Sequence, residues 1–191
     1  MKIKVSFFFL LMLASLLLSH AYLSLAAFIS AAIHELGHIL AARKCSISLG
    51  EMRLGIFGAQ ITPKTSLCSY KNEILLAIAG PLANLLTATL LLLLCNESEG
   101  FWGMLFQTSL FLGILNLLPI DDFDGGRILR CSLLLFFSPQ RVSSILQVIS
   151  FILVLSLWIF SVYLLLRASA SLSLFTFSLS LFCKTFLKQK I

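Results

Sequence analysis

The sequence predicts an all-α polytopic membrane protein, one domain over residues 1–191 with about six transmembrane helices and a short strand-like loop between the second and third spans. Three observations carry that prediction. Hydrophobic residues make up 59% of the 191-residue chain and charged residues 12%, where soluble domains carry roughly 25% charged residues. Mean hydropathy is +1.03. Several apolar stretches reach or approach the roughly 20 residues needed to cross a bilayer, separated by loops that hold most of the charge.

The expected spans are 5–20, 22–42, 74–94, 101–118, 145–166 and 168–183. Met1 to Lys4 is a short basic flank, so the first span also has the look of a secretory signal, with Ser19 and Ala21 in a small-x-small pattern. The second span follows at once, with no soluble region to export, and retention in the membrane is the expectation. His20 has no partner at ligand spacing and reads as an interfacial histidine.

The second span carries the most informative stretch, FISAAIHELGHILAAR, residues 28 to 43. Positions i and i+4 share a helix face, so His34 and His38 can direct their imidazoles at a common centre. That is metal-ligand spacing. Glu35 lies roughly 100° around the helix from His34, placed to act on a metal-bound water without being a ligand. Ionisable groups near a bilayer centre cost on the order of 2.5–3.5 kcal/mol on insertion scales, which favours a functional reading of all three. Gly37, between the histidines, leaves room for a neighbouring helix or a substrate backbone.

The loop from Arg43 to Lys71 also holds Lys44, Arg53 and Lys64, and by the positive-inside rule it is cytoplasmic. Within it, RLGIFGAQITP (residues 53–63) reads as one or two short strands broken by Gly55 and Gly58. A strand edge there, around Gly58, could pair with an extended peptide; an ordinary amphipathic loop is the alternative. The third span contains AIAGPLANLL, in which Gly80-Pro81 is expected to interrupt the helix and free a carbonyl. Asn84 could donate to a peptide carbonyl, although hydrogen bonding to a neighbouring helix suits its spacing better. The loop from Asn96 to Gly100 holds Glu97 and Glu99 and no basic residue, as expected on the outer side.

After the fourth span comes NLLPIDDFDGGRIL, residues 116 to 129. Pro119 must bend or break the helix, and Gly125-Gly126 permits a tight turn with close backbone approach. Asp121, Asp122 and Asp124 then form either a solvated cytoplasmic loop or the source of a third metal ligand. Zinc bound by two histidines needs one more protein ligand and an open position. Spacing does not choose among the three aspartates. Arg127, Arg130 and Arg141 mark the cytoplasmic side again, and six spans place both termini there.

A net charge of +6 raises nucleic acid as a partner, but the basic residues are spread among loops and form no stripe with interleaved aromatics, so none is expected. Five cysteines (Cys45, Cys68, Cys95, Cys131, Cys183) without C-x-x-C spacing imply neither a disulfide framework nor a thiolate zinc site.

With H34-E-L-G-H38, A79-G-P-L-A-N84 and N116-L-L-P-I-D-D-F-D124-G-G in this order, the chain resembles the site-2 protease family of intramembrane zinc metalloproteases. The resemblance implies one Zn²⁺ held by His34, His38 and Asp124, with Glu35 as general base. It selects Asp124 because that residue precedes Gly125 in the family's N-x-x-P-x(4)-D-G motif, and it makes Asn84, Asn116 and Gly58 the candidates for substrate or oxyanion contacts. It also implies a membrane-anchored protein substrate, regulated intramembrane proteolysis, and control by a membrane inhibitor or regulator. The compact plan with an I-F-G loop and no PDZ insertion is similar to the sporulation-type, sigma-factor-processing branch of bacterial cytoplasmic membranes. Members of that branch commonly carry a CBS domain after the last span; this chain reaches Ile191 without one, and Asp121 and Asp122 stand where apolar or proline residues are usual. Two rival readings are a non-catalytic metal-binding membrane adaptor, which has no need of Glu35, and a metal-ion transporter, which would place further ionisable groups in spans three, five and six.

Overall fold

Nothing in the apolar runs separates a lipid-facing side from a packed side by polarity, so residue size has to do it. Between membrane helices the lipid tails compete equally for leucine, and close approach of small residues is what holds helices together. The computed structural model describes residues 2–5, 21–45, 49–55, 58–63, 69–94, 100–168 and 172–188. These fall into two units, Met1–Leu117 and Leu118–Ile191.

In the first unit α1 (Ala21–Lys44), α2 (Tyr70–Leu94) and α3 (Gly100–Leu117) all pack against one another. The contact faces are lined by small residues. Ala26, Ser30 and Ala42 of α1, Ala77, Gly80 and Ala88 of α2, and Gly103, Ser109 and Gly113 of α3 are buried, whereas Leu82, Leu86, Leu90 and Leu93 of α2 are exposed. Ser30 donates to Ser109 across 3.2 Å, tying α1 to α3. A large exposed leucine face over a small-residue interior is the reverse of a soluble bundle and suits lipid.

Gly37 fixes the closest approach of α1 to α2: a Cβ there would stand 2.5 Å from the Ala79 carbonyl oxygen and 3.0 Å from the Ala83 Cβ. The room beside Gly37 is therefore taken by the neighbouring helix. A backbone carbonyl cannot swing away as a side chain can. Gly37→Ala is thus expected to destabilise the bundle by about 1–3 kcal/mol through overpacking, despite alanine's better helix propensity, read as earlier unfolding in mixed micelles of rising SDS content.

A three-stranded sheet of order β1-β2-β3 completes the unit, with β1 (Lys2–Val5), β2 (Leu49–Gly55) and β3 (Gly58–Pro63). β2 and β3 form an antiparallel hairpin closed by the Gly55–Gly58 pair, within the loop where strands were expected. β1 pairs parallel to β2, Lys2 opposite Glu51 and Val5 opposite Leu54. That corrects the N-terminal boundary, because Val5 belongs to a strand and not to a first span. The remainder of the expected span 5–20, His20 included, and the acidic residues Glu97 and Glu99 lie outside the described residues.

The second unit contains α4 (Asp124–Leu133), α5 (Pro139–Ala168) and α6 (Leu172–Lys188), with α4 and α6 each packed on α5. Two sequence expectations change. Gly125-Gly126 does not make a tight turn; both glycines lie in the first turn of α4. Their role is steric, since a Cβ on Gly126 would stand 2.0 Å from the Ile120 carbonyl oxygen, so residues 118–123 can fold back on the helix only over a bare backbone. Likewise Gly80-Pro81 does not interrupt α2, which runs continuously through both. Pro81 removes one ladder hydrogen bond, but neighbouring helices hold the segment.

Four described helices, α1, α2, α3 and α5, are long and apolar enough to cross a membrane. The sixth expected span, 168–183, corresponds to α6, shifted to residues 172–188. Among the described residues Cys45, Cys131 and Cys183 form no disulfide.

Candidate functional site

The site is built on the face where α1 meets α2. His34 and His38, one helical turn apart on α1, are both buried with 6% of their surface exposed, and their rings meet edge to face, centroids 4.7 Å apart. The two Nε2 atoms are 3.1 Å apart. Ligands 2.0–2.1 Å from one tetrahedral zinc stand about 3.3 Å from each other. The imidazoles are therefore spaced as a metal-binding pair.

α2 sets both rings from behind. The His38 Nδ1–H donates to the Leu76 carbonyl at 2.8 Å, which leaves the Nε2 lone pair for a ligand. Asn84 is fully buried and its Nδ2 lies 3.3 Å from His34 Nδ1. Gly80 faces the same pair: a Cβ there would stand 2.4 Å from His38 Nε2 and 2.9 Å from His34 Cε1. The A-G-P-L-A-N stretch thus supplies a carbonyl, a gap and an amide to two rings on another helix. Glu35, half-buried, follows His34 on α1 and is displaced from the ligand face by the helical rotation.

In the second unit Asp124 opens α4 and is 8% exposed. Phe123, at the N-cap, offers no side-chain cap, and Arg127, one turn on, approaches the Asp124 carboxylate at 3.8 Å. Asp121 is engaged differently. Its carboxylate is ion-paired with Arg130, and its backbone N–H donates to Ser150 Oγ at 2.9 Å, which pins residues 118–123 to α5. Asp122 is half-buried beside it.

Of the sequence candidates, the first unit brings His34, His38 and Asn84 into contact. Asn116 turns its Nδ2 back to the Leu112 carbonyl of its own helix at 3.0 Å. Gly58 sits at the hairpin end of β3, opposite Gly55. Two site residues escaped the sequence reading in their present roles. Leu76 contributes only a carbonyl, which no side-chain pattern could announce. Gly80 was legible as a helix irregularity but not as the space the imidazoles occupy.

The matches with known proteins follow the same map. The sequence profile of peptidase family M50 matches residues 22–100 and 94–157, from the start of α1 to the middle of α5. A zinc metalloprotease of Methanocaldococcus jannaschii is 32% identical over 123 residues, 59% of this chain and 34% of that protein. The chain spans about a third of the length of the curated relatives it matches. The solved structure of a site-2 protease from the same organism aligns with 100% of this chain and 93% of its own, at a TM-score of 0.71 and 25% identity. Apolar helices, a buried histidine pair on α1 and a profile match over most of its length make the chain an integral membrane protein that belongs to peptidase family M50.

Proposed function

We propose that residues 1–191 act as one intramembrane zinc metalloendopeptidase domain in which His34, His38 and Asp124 hold the metal and Glu35 is the general base. The observation that carries this reading is the Nε2 pair of His34 and His38, 3.1 Å apart, with His38 oriented by a backbone carbonyl. All three proposed ligands are buried, and each offers one donor atom. Two imidazoles and a carboxylate are a donor set that catalytic zinc takes. Asp121 fits the role less well, because Arg130 already neutralises it.

A zinc ion held by these residues would supply Lewis acidity, making water a stronger acid and a peptide carbonyl more electrophilic. The chain's own groups do the rest. Glu35 takes a proton from the attacking water and returns it to the leaving nitrogen as the C–N bond breaks. The Leu76 carbonyl holds His38 in the ligating tautomer. Arg127 sets a positive charge 3.8 Å from the Asp124 carboxylate.

The substrate in this reading is a transmembrane or membrane-adjacent protein segment, cut in regulated intramembrane proteolysis of the kind that releases a membrane-held transcription-factor precursor. The sequence signatures also favour the sporulation-type branch, a bacterial cytoplasmic membrane, cytoplasmic termini and a membrane inhibitor as regulator. Helical peptide bonds are shielded by their own hydrogen bonds, so the substrate must unwind locally. The hairpin of β2 and β3 is suited to take up such an extended segment by strand addition, with Gly58 and Asn116 as the further substrate contacts. In the third span, α2, the only charged side chains are Lys71 and Glu73 in its first turn, which speaks against an ion pathway there.

Co-expression with membrane-anchored candidate precursors, scored for fragments that disappear with Glu35→Gln, tests the activity. The ligand set is tested separately. Asp124→Asn is expected to lower zinc affinity by more than the roughly 10–100-fold that loss of an outer-shell partner costs, while Asp121→Asn keeps it. Metal analysis after dialysis against a chelator reads both, and zinc loss in the Asp121 variant alone would reassign the ligand.

A further inference from the structure

A polar cavity of about 270 Å³ lies wholly within the second unit, between residues 120–122, the end of α4, the first three turns of α5 and Thr185 of α6. Among the described residues that line it, Ile120 alone is apolar. In a chain that is 59% hydrophobic, such a lining selects a polar ligand. Ser143, Gln147 and Ser150 stand at i, i+4 and i+7, so one face of α5 supplies them. The charges come from Asp121, Asp122 and Arg130, with the Arg130 guanidinium paired to the Asp121 carboxylate.

Depth in the bilayer narrows the ligand. α5 has 30 residues, about 45 Å of helix, whereas the hydrocarbon core is about 30 Å thick. Its apolar run extends from Phe151 to Leu166, with Arg167 just beyond, and Gln140, Arg141, Ser143, Ser144 and Gln147 fill the opening turns. The apolar run takes the core. The polar turns that line the cavity then come to the level of the lipid headgroups.

A ligand that meets carboxylates and a guanidinium side by side has to carry both signs itself. The Asp121–Arg130 pair, with its guanidinium side chain 48% exposed, is of the kind that contributes little and exchanges partners readily. A cation suits the carboxylates; a phosphate suits Arg130, with the Ser143 hydroxyl and the Gln147 amide as further donors. The cation is of the primary-ammonium type. Carboxylates and hydroxyls accept N–H bonds, whereas a quaternary ammonium is held by aromatic rings, and none is found among the described lining residues. The volume is on the order of nine waters, which accommodates a phosphoethanolamine group. We propose that this cavity binds the phosphoethanolamine headgroup of an aminophospholipid, its ammonium toward Asp121 and Asp122 and its phosphate toward Arg130. A lipid so bound tethers to the leaflet the segment that leads into α4. Such a site exists whether or not the histidine pair holds zinc, so it is read by binding and not by cleavage.

The full chain, in detergent with added lipid, is scored by native mass spectrometry for retained lipid and by thermal unfolding for stabilisation. The lipids share acyl chains and differ in headgroup: phosphatidylethanolamine, its N-methyl and N,N-dimethyl forms, phosphatidylcholine and phosphatidylglycerol. Affinity is expected to fall with each added methyl group, by about tenfold from phosphatidylethanolamine to phosphatidylcholine, the worth of one charged hydrogen bond. Asp122→Asn and Arg130→Gln are expected to cut that preference to about twofold or less. Ser143→Leu narrows the cavity from an exposed position on α5, is expected to act in the same way, and decides alone should the charge variants fail to fold. Soluble phosphoethanolamine is expected to compete with the lipid. Equal binding of phosphatidylethanolamine and phosphatidylcholine by the parent, or a preference that survives the folded variants, overturns the assignment. Phosphatidylglycerol bound as tightly would make this a bare anion site, and stabilisation by soluble phosphoethanolamine but by none of the lipids would make the ligand a free solute; either result overturns it as well.

Discussion

Glu35→Gln is expected to leave the metal in place and to lower peptide-bond cleavage by about 10²–10⁴-fold, the range that a positioned general acid–base contributes. Glutamine matches the side chain in volume and still forms hydrogen bonds, but it cannot take a proton from water. The groups that orient the metal-binding pair are elsewhere: His38 is held by the Leu76 carbonyl and His34 lies against Asn84, both on α2. Loss of the carboxylate therefore reaches the proton transfer and spares the ligand geometry. Zinc content and cleavage of a membrane-anchored substrate, measured on the same preparation, separate the two. Cleavage within a few-fold of the parent would remove Glu35 as the base, and loss of zinc would show that it supports the metal.

The part of this site that lies within one helix is the part a sequence displays. His34 and His38 announce themselves because helical periodicity brings i and i+4 together, and three ionisable groups in an apolar run need a reason to be there. Everything that depends on a second helix is less visible. The contact of His34 with Asn84 joins residues fifty positions apart, and the same asparagine read along α2 alone looks like packing. The Leu76 carbonyl has no signature at all. Spacing among Asp121, Asp122 and Asp124 was equally silent, and only motif resemblance ranked them; the pairing of Asp121 with Arg130 is a tertiary fact.

Secondary structure shows the same limit. Spans two to four were readable to within a few residues, since the length of an apolar run is a local property. α4 was not, because Gly125-Gly126 has poor helix propensity and its presence in a helix makes sense only once the Ile120 carbonyl lies against it. β1 has four residues and pairs with partners some fifty positions later, so nothing in its own sequence distinguishes it from a basic flank.

Gly80→Ala carries the second large effect, and it separates the fold from the site. For the helix the change is favourable by up to about 1 kcal/mol, because glycine is the poorer helix former. For the site it is prohibitive. The new methyl carbon would lie 2.4 Å from His38 Nε2, 2.6 Å from His38 Cε1 and 2.9 Å from His34 Cε1, all well inside van der Waals contact. The obstructing atoms are ring ends and not backbone, so the rings can turn aside while α1 and α2 stay packed. Turning, however, breaks the His38 bond to Leu76 and parts the two Nε2 atoms from their 3.1 Å spacing. A protein of near-parent stability in SDS titration that has lost measurable zinc and all cleavage is the expected result. This contrasts with Gly37→Ala, where the obstacle is the Ala79 carbonyl and stability suffers first. Retention of zinc by Gly80→Ala would mean that the imidazoles can hold the metal without the 3.1 Å Nε2 spacing.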